Sequence, residues 1–149
     1  MKINFTKKEY RLLLDIVYLG QWMMQVHETD HSDEEDAHEM LAQKIYSVAK
    51  EMGYEDFVES AKELNKYYPT RIYEEESGLH EIISQYNDDC FWDELIDRLA
   101  ERDTRAEAEA LDKKISSAEE YWELSIPHES KYAEEFSENG LKNLIISET

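Results

Sequence analysis

The chain is short of almost everything that breaks or braces a backbone. Only two prolines and four glycines occur in 149 residues. So few breakers favour long helices over many short strands. A single cysteine, Cys90, excludes an intramolecular disulfide and suits a reducing cytoplasm. Long apolar runs are also missing. The longest uncharged run near the front, Ile16 to Val26, is eleven residues, whereas a membrane-spanning helix needs about 20. Lys7, Lys8 and Glu9 stand where the apolar core of a secretory signal would begin. The expected location is cytoplasmic, with no membrane partner.

Positive charge is scarce as well. Sixteen Lys and Arg face thirty-six Asp and Glu, a formal net charge of -20. Such a surface repels phosphate backbones and anionic lipid, and it steers basic proteins toward itself. Nucleic acid is therefore not an expected partner, whereas a basic protein is. The excess is unevenly spread. Residues 1–26 hold four basic and two acidic residues, and residues 27–149 hold twelve basic and thirty-four acidic.

Aromatic residues are plentiful, with three Trp, ten Tyr and four Phe. They supply the buried area that so charged a chain needs in order to fold. The length fits one domain with a real core. We read residues 1–149 as a single all-α domain, a compact bundle of six or seven helices around a buried N-terminal helix.

Capping signals and apolar spacing place the helices. Thr6 and Glu9 have the spacing of a capping box, opening a helix to about Val26 that is apolar nearly all round. Such a helix is expected at the centre of the bundle. Ser32 and Glu35 repeat the signal before a stripe of Ala37, Leu41, Ile45, Val48 and Met52, with Gly53 at the left-handed C-terminal position. Asp56 and Glu59 open a third helix bearing Phe57, Ala61, Leu64 and Tyr68, which Pro69 stops. Leu79, Ile82, Ile83 and Tyr86 have helical spacing, with Gly78 as a break.

Asn87 or Asp88 then caps a helix carrying Trp92, Leu95, Ile96 and Leu99. Thr104 and Glu107 signal another start before Leu111, Ile115, Ala118 and Trp122, and Ser116 and Ser117 offer a split. Pro127 ends that helix. A last short one holds Tyr132, Ala133 and Phe136 before Gly140. At the two ends, Ile3 and Phe5 alternate with polar residues and Leu144 to Ile146 are β-prone, so a minor two-strand pairing of the termini is compatible with the sequence.

The segment Cys90 to Arg105, CFWDELIDRLAERDTR, resembles small bacterial all-helical proteins that share an aromatic-then-acidic helix. Tyr10 to Trp22 and Glu135 to Leu144 have a similar look. Together these segments cover about a quarter of the chain. The resemblance implies a bacterial origin and a shared helical fold. It carries no catalytic motif and implies no activity.

The sharpest chemical motif is His27-Glu28-Thr29-Asp30-His31, which matches the letters of H-E-x-x-H. That motif needs a helix, so that two histidines one turn apart can bind zinc beside a glutamate that activates water. Here Ser32 starts a new cap at once, and the segment reads as a loop. Glu28 with His31 and Glu35 with His38 also have the Glu-x-x-His spacing of diiron bundles. Both pairs lie in one segment, however, whereas such bundles distribute their ligands over four helices. His27, Glu28, His31 and His38 are the metal candidates, and they carry the alternative reading of a metal-dependent hydrolase or metal-binding protein. An EF-hand is excluded, because Leu41 falls where its bidentate Glu would be.

Cys90 has no neighbouring base in the sequence. Set among Asp88, Asp89 and Asp93 and beside Phe91 and Trp92, it reads as a small buried apolar residue. The four glycines form no phosphate-binding loop, and no cofactor is expected. On the next helix, Glu94 with Arg98 and Glu101 with Arg105 are i,i+4 ion pairs, while Asp93, Asp97 and Glu101 form a like-charge row. Arg98 and Arg102 are the candidate protein-binding anchors. The composite expectation is a non-enzymatic, acidic protein-interaction domain for a basic partner. A structural subunit of a homo-oligomer is a further alternative.

Overall fold

A computed structural model describes residues 2–25 and 37–145. Five helices and one hairpin make up its regular structure: α1 (Lys7–Gln25), α2 (Ala37–Tyr46), β1 (Val58–Ala61), β2 (Lys66–Pro69), α3 (Arg71–Ser77), α4 (Leu79–Ala110) and α5 (Ala118–Asn139). The described residues are thus mostly helical, with fewer helices than the six or seven expected. Among the described residues, no helix is long and apolar enough to cross a membrane. The chain divides into two compact units, residues 1–84 and 85–149, with the division falling within α4.

The first unit begins with the capping box. The Thr6 N–H donates to the Glu9 carboxylate at 2.8 Å, and the Glu9 N–H returns to the Thr6 hydroxyl at 3.3 Å. Two free donors of the first turn are satisfied in this way. One side of α1 enters the core through Tyr10 and Leu14, which are 2% and 1% exposed. Its other side does not. Leu12 is 61% exposed and Ile16 67%, so α1 is a flank of the unit and not a buried central helix.

The inward stripe of α2 is also shifted from expectation. Ala42, Tyr46 and Ala49 are buried, and Leu41 is exposed. Ala42 and Tyr46 form the buried side of α2, and Ala49 lies in the turns that follow it. The Tyr46 hydroxyl donates to Gln21 on α1 at 2.7 Å, while the Tyr10 hydroxyl donates to the Ile45 carbonyl at 2.8 Å. The predicted start signals at Ser32 and Glu35 lie outside the described residues. α2 ends at Tyr46, short of the expected stripe through Val48 and Met52, so Gly53 is left-handed, with φ +80, in the turns that follow and not at the helix end.

The third expected helix is a β-hairpin. Val58 pairs with Pro69, Glu59 with Tyr68, Ser60 with Tyr67 and Ala61 with Lys66. Three physical features override the helical spacing of Phe57, Ala61, Leu64 and Tyr68. Val58, Tyr67 and Tyr68 favour strands. Asn65 takes the left-handed conformation that closes the turn, with φ 51. The Gln43 side chain on α2 acts as a third strand: its amide N–H donates to the Tyr67 carbonyl at 2.9 Å, and its oxygen accepts from the Tyr67 N–H at 2.7 Å. No strand forms at the described parts of the two termini, so the sheet of this protein is interior in sequence.

Thr70 follows the hairpin as the N-cap of α3. Its hydroxyl donates to the Asp56 carbonyl at 2.6 Å and accepts from the Tyr73 N–H at 3.3 Å. Gly78, with φ 68, ends α3 and separates it from α4, as the sequence indicated. Tyr73 lies buried under a bond from its hydroxyl to Asp15 at 2.8 Å.

In the second unit, the expected caps at Asn87, Asp88 and Thr104 are absent because α4 runs unbroken through all three. A cap signal acts only where a chain is free to begin a helix. Thr104 is instead fully buried, in register with buried Ala100 and Ala108 one turn to either side. Ser117 does start α5, accepting from the Glu120 N–H at 3.2 Å. Pro127 does not end it. The helix continues to Asn139, giving up the bond that residue 127 would have made to the Glu123 carbonyl. Gly140 then terminates it. The two helices run antiparallel, because Trp92 meets Phe136, Asp103 meets Tyr132, and Glu107 meets His128.

Candidate interaction surfaces

Of the four metal candidates, His27, Glu28 and His31 lie outside the described residues. His38 is described, exposed on the first turn of α2. Among the described residues no group of three or more His, Cys, Asp or Glu is placed to hold a metal ion. Cys90 is exposed on α4, contrary to the buried position expected beside Phe91 and Trp92. The reason is the phase of the helix: Trp92 turns toward Phe136, with ring centroids 5.6 Å apart, while Phe91 stays outside at 48% exposure.

The predicted arginine anchors are present but already engaged. Arg98 is bonded to Glu94 at 2.6 Å, and Arg105 to Glu101, both one turn apart on α4. Arg102 donates to Asp103 at 2.8 Å and to the Tyr132 hydroxyl at 2.9 Å. Asp103 is the centre of this group, for it also accepts from the Tyr132 hydroxyl and lies 3.9 Å from Lys131. The Tyr132 hydroxyl, with Arg102 behind it, holds the Asp103 carboxyl below its usual range. Burial and the Asp103 carboxylate together raise the Tyr132 hydroxyl. Proton affinities moved apart in this way make a locked structural contact between α4 and α5, with the carboxylate charged and the phenol neutral.

The acids beside these pairs are different. Asp89, Asp93 and Asp97 follow at i, i+4 and i+8 on α4, all exposed. No cation stands within salt-bridge distance of any of them among the described residues. Like charges at this spacing destabilise an isolated helix by about 0.2–0.5 kcal/mol per pair. The row therefore costs local stability and leaves its field open to solvent.

The first unit carries a surface of another kind. A groove of about 230 Å3 runs between α1 and α2, walled by Ile16, Val17, Met24, Leu41 and Ile45, with Gly20 at its floor. A Cβ built on Gly20 would meet nothing within 4 Å. A neighbouring cleft of about 260 Å3 is more polar, lined by Tyr18, Gln21, Gln43, Tyr46 and Tyr67. Its polar side chains are mostly spent on one another and on the hairpin, through the Tyr46–Gln21 and Gln43–Tyr67 bonds.

No family model, curated protein or solved structure matches the chain.

Sequence reasoning singled out Arg98 and Arg102 but missed Tyr132, Asp103, Gln43 and Gly20 as residues with specific work. Asp103 and Tyr132 are 29 positions apart, and only the antiparallel return of α5 brings them together. Gly20 did carry a signal. A glycine inside a helix is unfavourable by about 0.5–1 kcal/mol relative to alanine, and no turn or cap was there to account for it.

Proposed function

We propose that this chain is a non-enzymatic interaction protein that binds a basic protein partner through the acidic face of α4. The observation that carries the reading is the unneutralised Asp89–Asp93–Asp97 row. The arginines next to it are consumed by Glu94, Glu101 and Asp103, so they do not offset it. An exposed row of one sign focuses potential and accelerates encounter with an oppositely charged surface. The long uninterrupted helix holds the three carboxylates at fixed spacing, which favours a partner carrying regularly spaced lysines or arginines.

The test is capture of a partner by the full chain at low salt, followed by titration with the purified partner. The reading expects a basic partner whose association slows with salt and slows again in the triple variant Asp89→Asn, Asp93→Asn, Asp97→Asn. A control that removes the same charge from Glu55, Glu59 and Glu63 separates the α4 row from net charge. Equal loss in both variants, or no partner at low salt, refutes the assignment to α4.

A further inference from the structure

We infer that the outer face of α1 is a self-association surface, on which a second copy of this chain docks antiparallel to the first. Four observations lead to it. Leu12, Ile16, Leu19 and Met23 recur at spacings of four, three and four, the seam of a pairing helix. Leu12, Ile16 and Met23 are 61%, 67% and 50% exposed while Leu19 is partly buried against the core, so among the described residues most of the seam is uncovered. Gly20 borders that seam at the floor of the groove, and the space above it is empty within 4 Å. No described residue of the unit fills that space, which leaves it open to close approach by another backbone or side chain, a use that suits a glycine.

Charge selects the occupant. This stretch of the chain has no acidic excess: residues 1–26 hold four basic and two acidic residues. Of the two acids, Glu9 is taken up by Thr6 and Asp15 by Arg11 and Tyr73. A copy bearing -20 overall can approach here with the least repulsion. The face is also self-complementary. On a helical wheel Leu12 and Gly20 flank Ile16 symmetrically, one turn to either side. A twofold axis near Ile16 therefore sets Leu12 of each copy into the space above Gly20 of the other. The same antiparallel arrangement brings Lys8 of each copy to the C-terminal turn of the opposing α1. That turn has no basic residue of its own, and its dipole end is negative.

Sedimentation equilibrium of the full chain, from low salt to about 1 M, tests this. Over that range screening shortens from tens of ångströms to about 3 Å. Two copies of like charge should associate more tightly as salt rises. Ile16→Glu places a charge at the centre of the seam on a residue already exposed, and it should weaken the dimer by about thirtyfold or more. Gly20→Leu should abolish the dimer by filling the receiving space. Gly20→Ala should raise the monomer's melting temperature while weakening the dimer, a combination that a purely structural glycine would not give. Helical circular dichroism confirms that each variant is folded.

A dimer that strengthens with salt and is lost in folded Ile16→Glu establishes the surface. A chain that stays monomeric at high salt overturns the inference, as does a dimer that Ile16→Glu leaves intact. A monomer whose Ile16→Glu variant instead loses a different protein partner also overturns it, and assigns the groove to that partner.

Discussion

Replacing Thr104 by valine should make the protein more stable. Thr104 lies fully buried on α4, and its Oγ1 has no hydrogen-bond partner among the described residues. Leaving a hydroxyl buried and unpaired costs about 1–3 kcal/mol. Valine keeps the shape and the χ1 branching, its helix propensity is nearly that of threonine, and the penalty disappears. The flanking Ala100 and Ala108 are equally buried, so the extra methyl replaces an oxygen of similar size in an environment already apolar. The expected gain is about 1–2 kcal/mol, or about 3–6 °C in melting temperature for a chain of this length. Thermal and urea unfolding followed by helical circular dichroism measure it, with an unchanged urea slope showing that only stability moved. Thr104→Ser is the companion variant. It keeps the unpaired hydroxyl and removes the methyl, and should lose about 1 kcal/mol. A lowered midpoint in Thr104→Val would refute the reasoning, for it would mean that the hydroxyl makes a bond worth more than its burial costs.

Gln43→Glu should open the hairpin, because a carboxylate can still accept from the Tyr67 N–H but repels the Tyr67 carbonyl. Faster hydrogen exchange at the Tyr67 amide than in Gln43→Met or the parent checks it, at a cost of about 1–3 kcal/mol for the orphaned carbonyl. Stability should also fall at alkaline pH. Burial pushes the Tyr10 hydroxyl up to about 12 and raises Tyr46 and Tyr73 in the same direction. A folded-state value above the unfolded one gives stability that is complete below about 10. That stability is lost as pH rises through the folded value. A share of the tyrosinate absorbance, that of the three buried tyrosines, should appear only with unfolding.

How much of this was legible in the sequence depended on how local each feature is. The Thr6–Glu9 box, the glycines at 78 and 140 and the Glu94–Arg98 and Glu101–Arg105 pairs all act within one or two turns. Each was readable from spacing. The failures came where a distant residue decided the outcome. The 57–68 stripe has helical spacing, yet Gln43, some 24 positions earlier, completes a strand edge there. Pro127 and Thr104 carry real stop and start signals, but each lies between helical segments long enough to continue through it. Arg98 and Arg102 were read as anchors for a partner, yet Arg102 is engaged by Tyr132, which only the return of α5 supplies.

The two proposed surfaces answer salt with opposite signs, and this follows from one unequal distribution of charge. The α4 row is a field of uncompensated carboxylates, so its attraction for a basic partner is screened as ionic strength rises. The α1 face is apolar and carries no unpaired acid, so what opposes pairing there is the repulsion between two whole copies, and screening relieves it. Low salt should hold the chain as a monomer with its acidic helix most attractive. High salt should favour the dimer and release the basic partner. The surfaces also belong to separate compact units, residues 1–84 and 85–149. Ile16→Glu should therefore leave the salt response of partner binding intact, and the triple aspartate variant should make dimerisation easier, since it removes three negative charges from each copy.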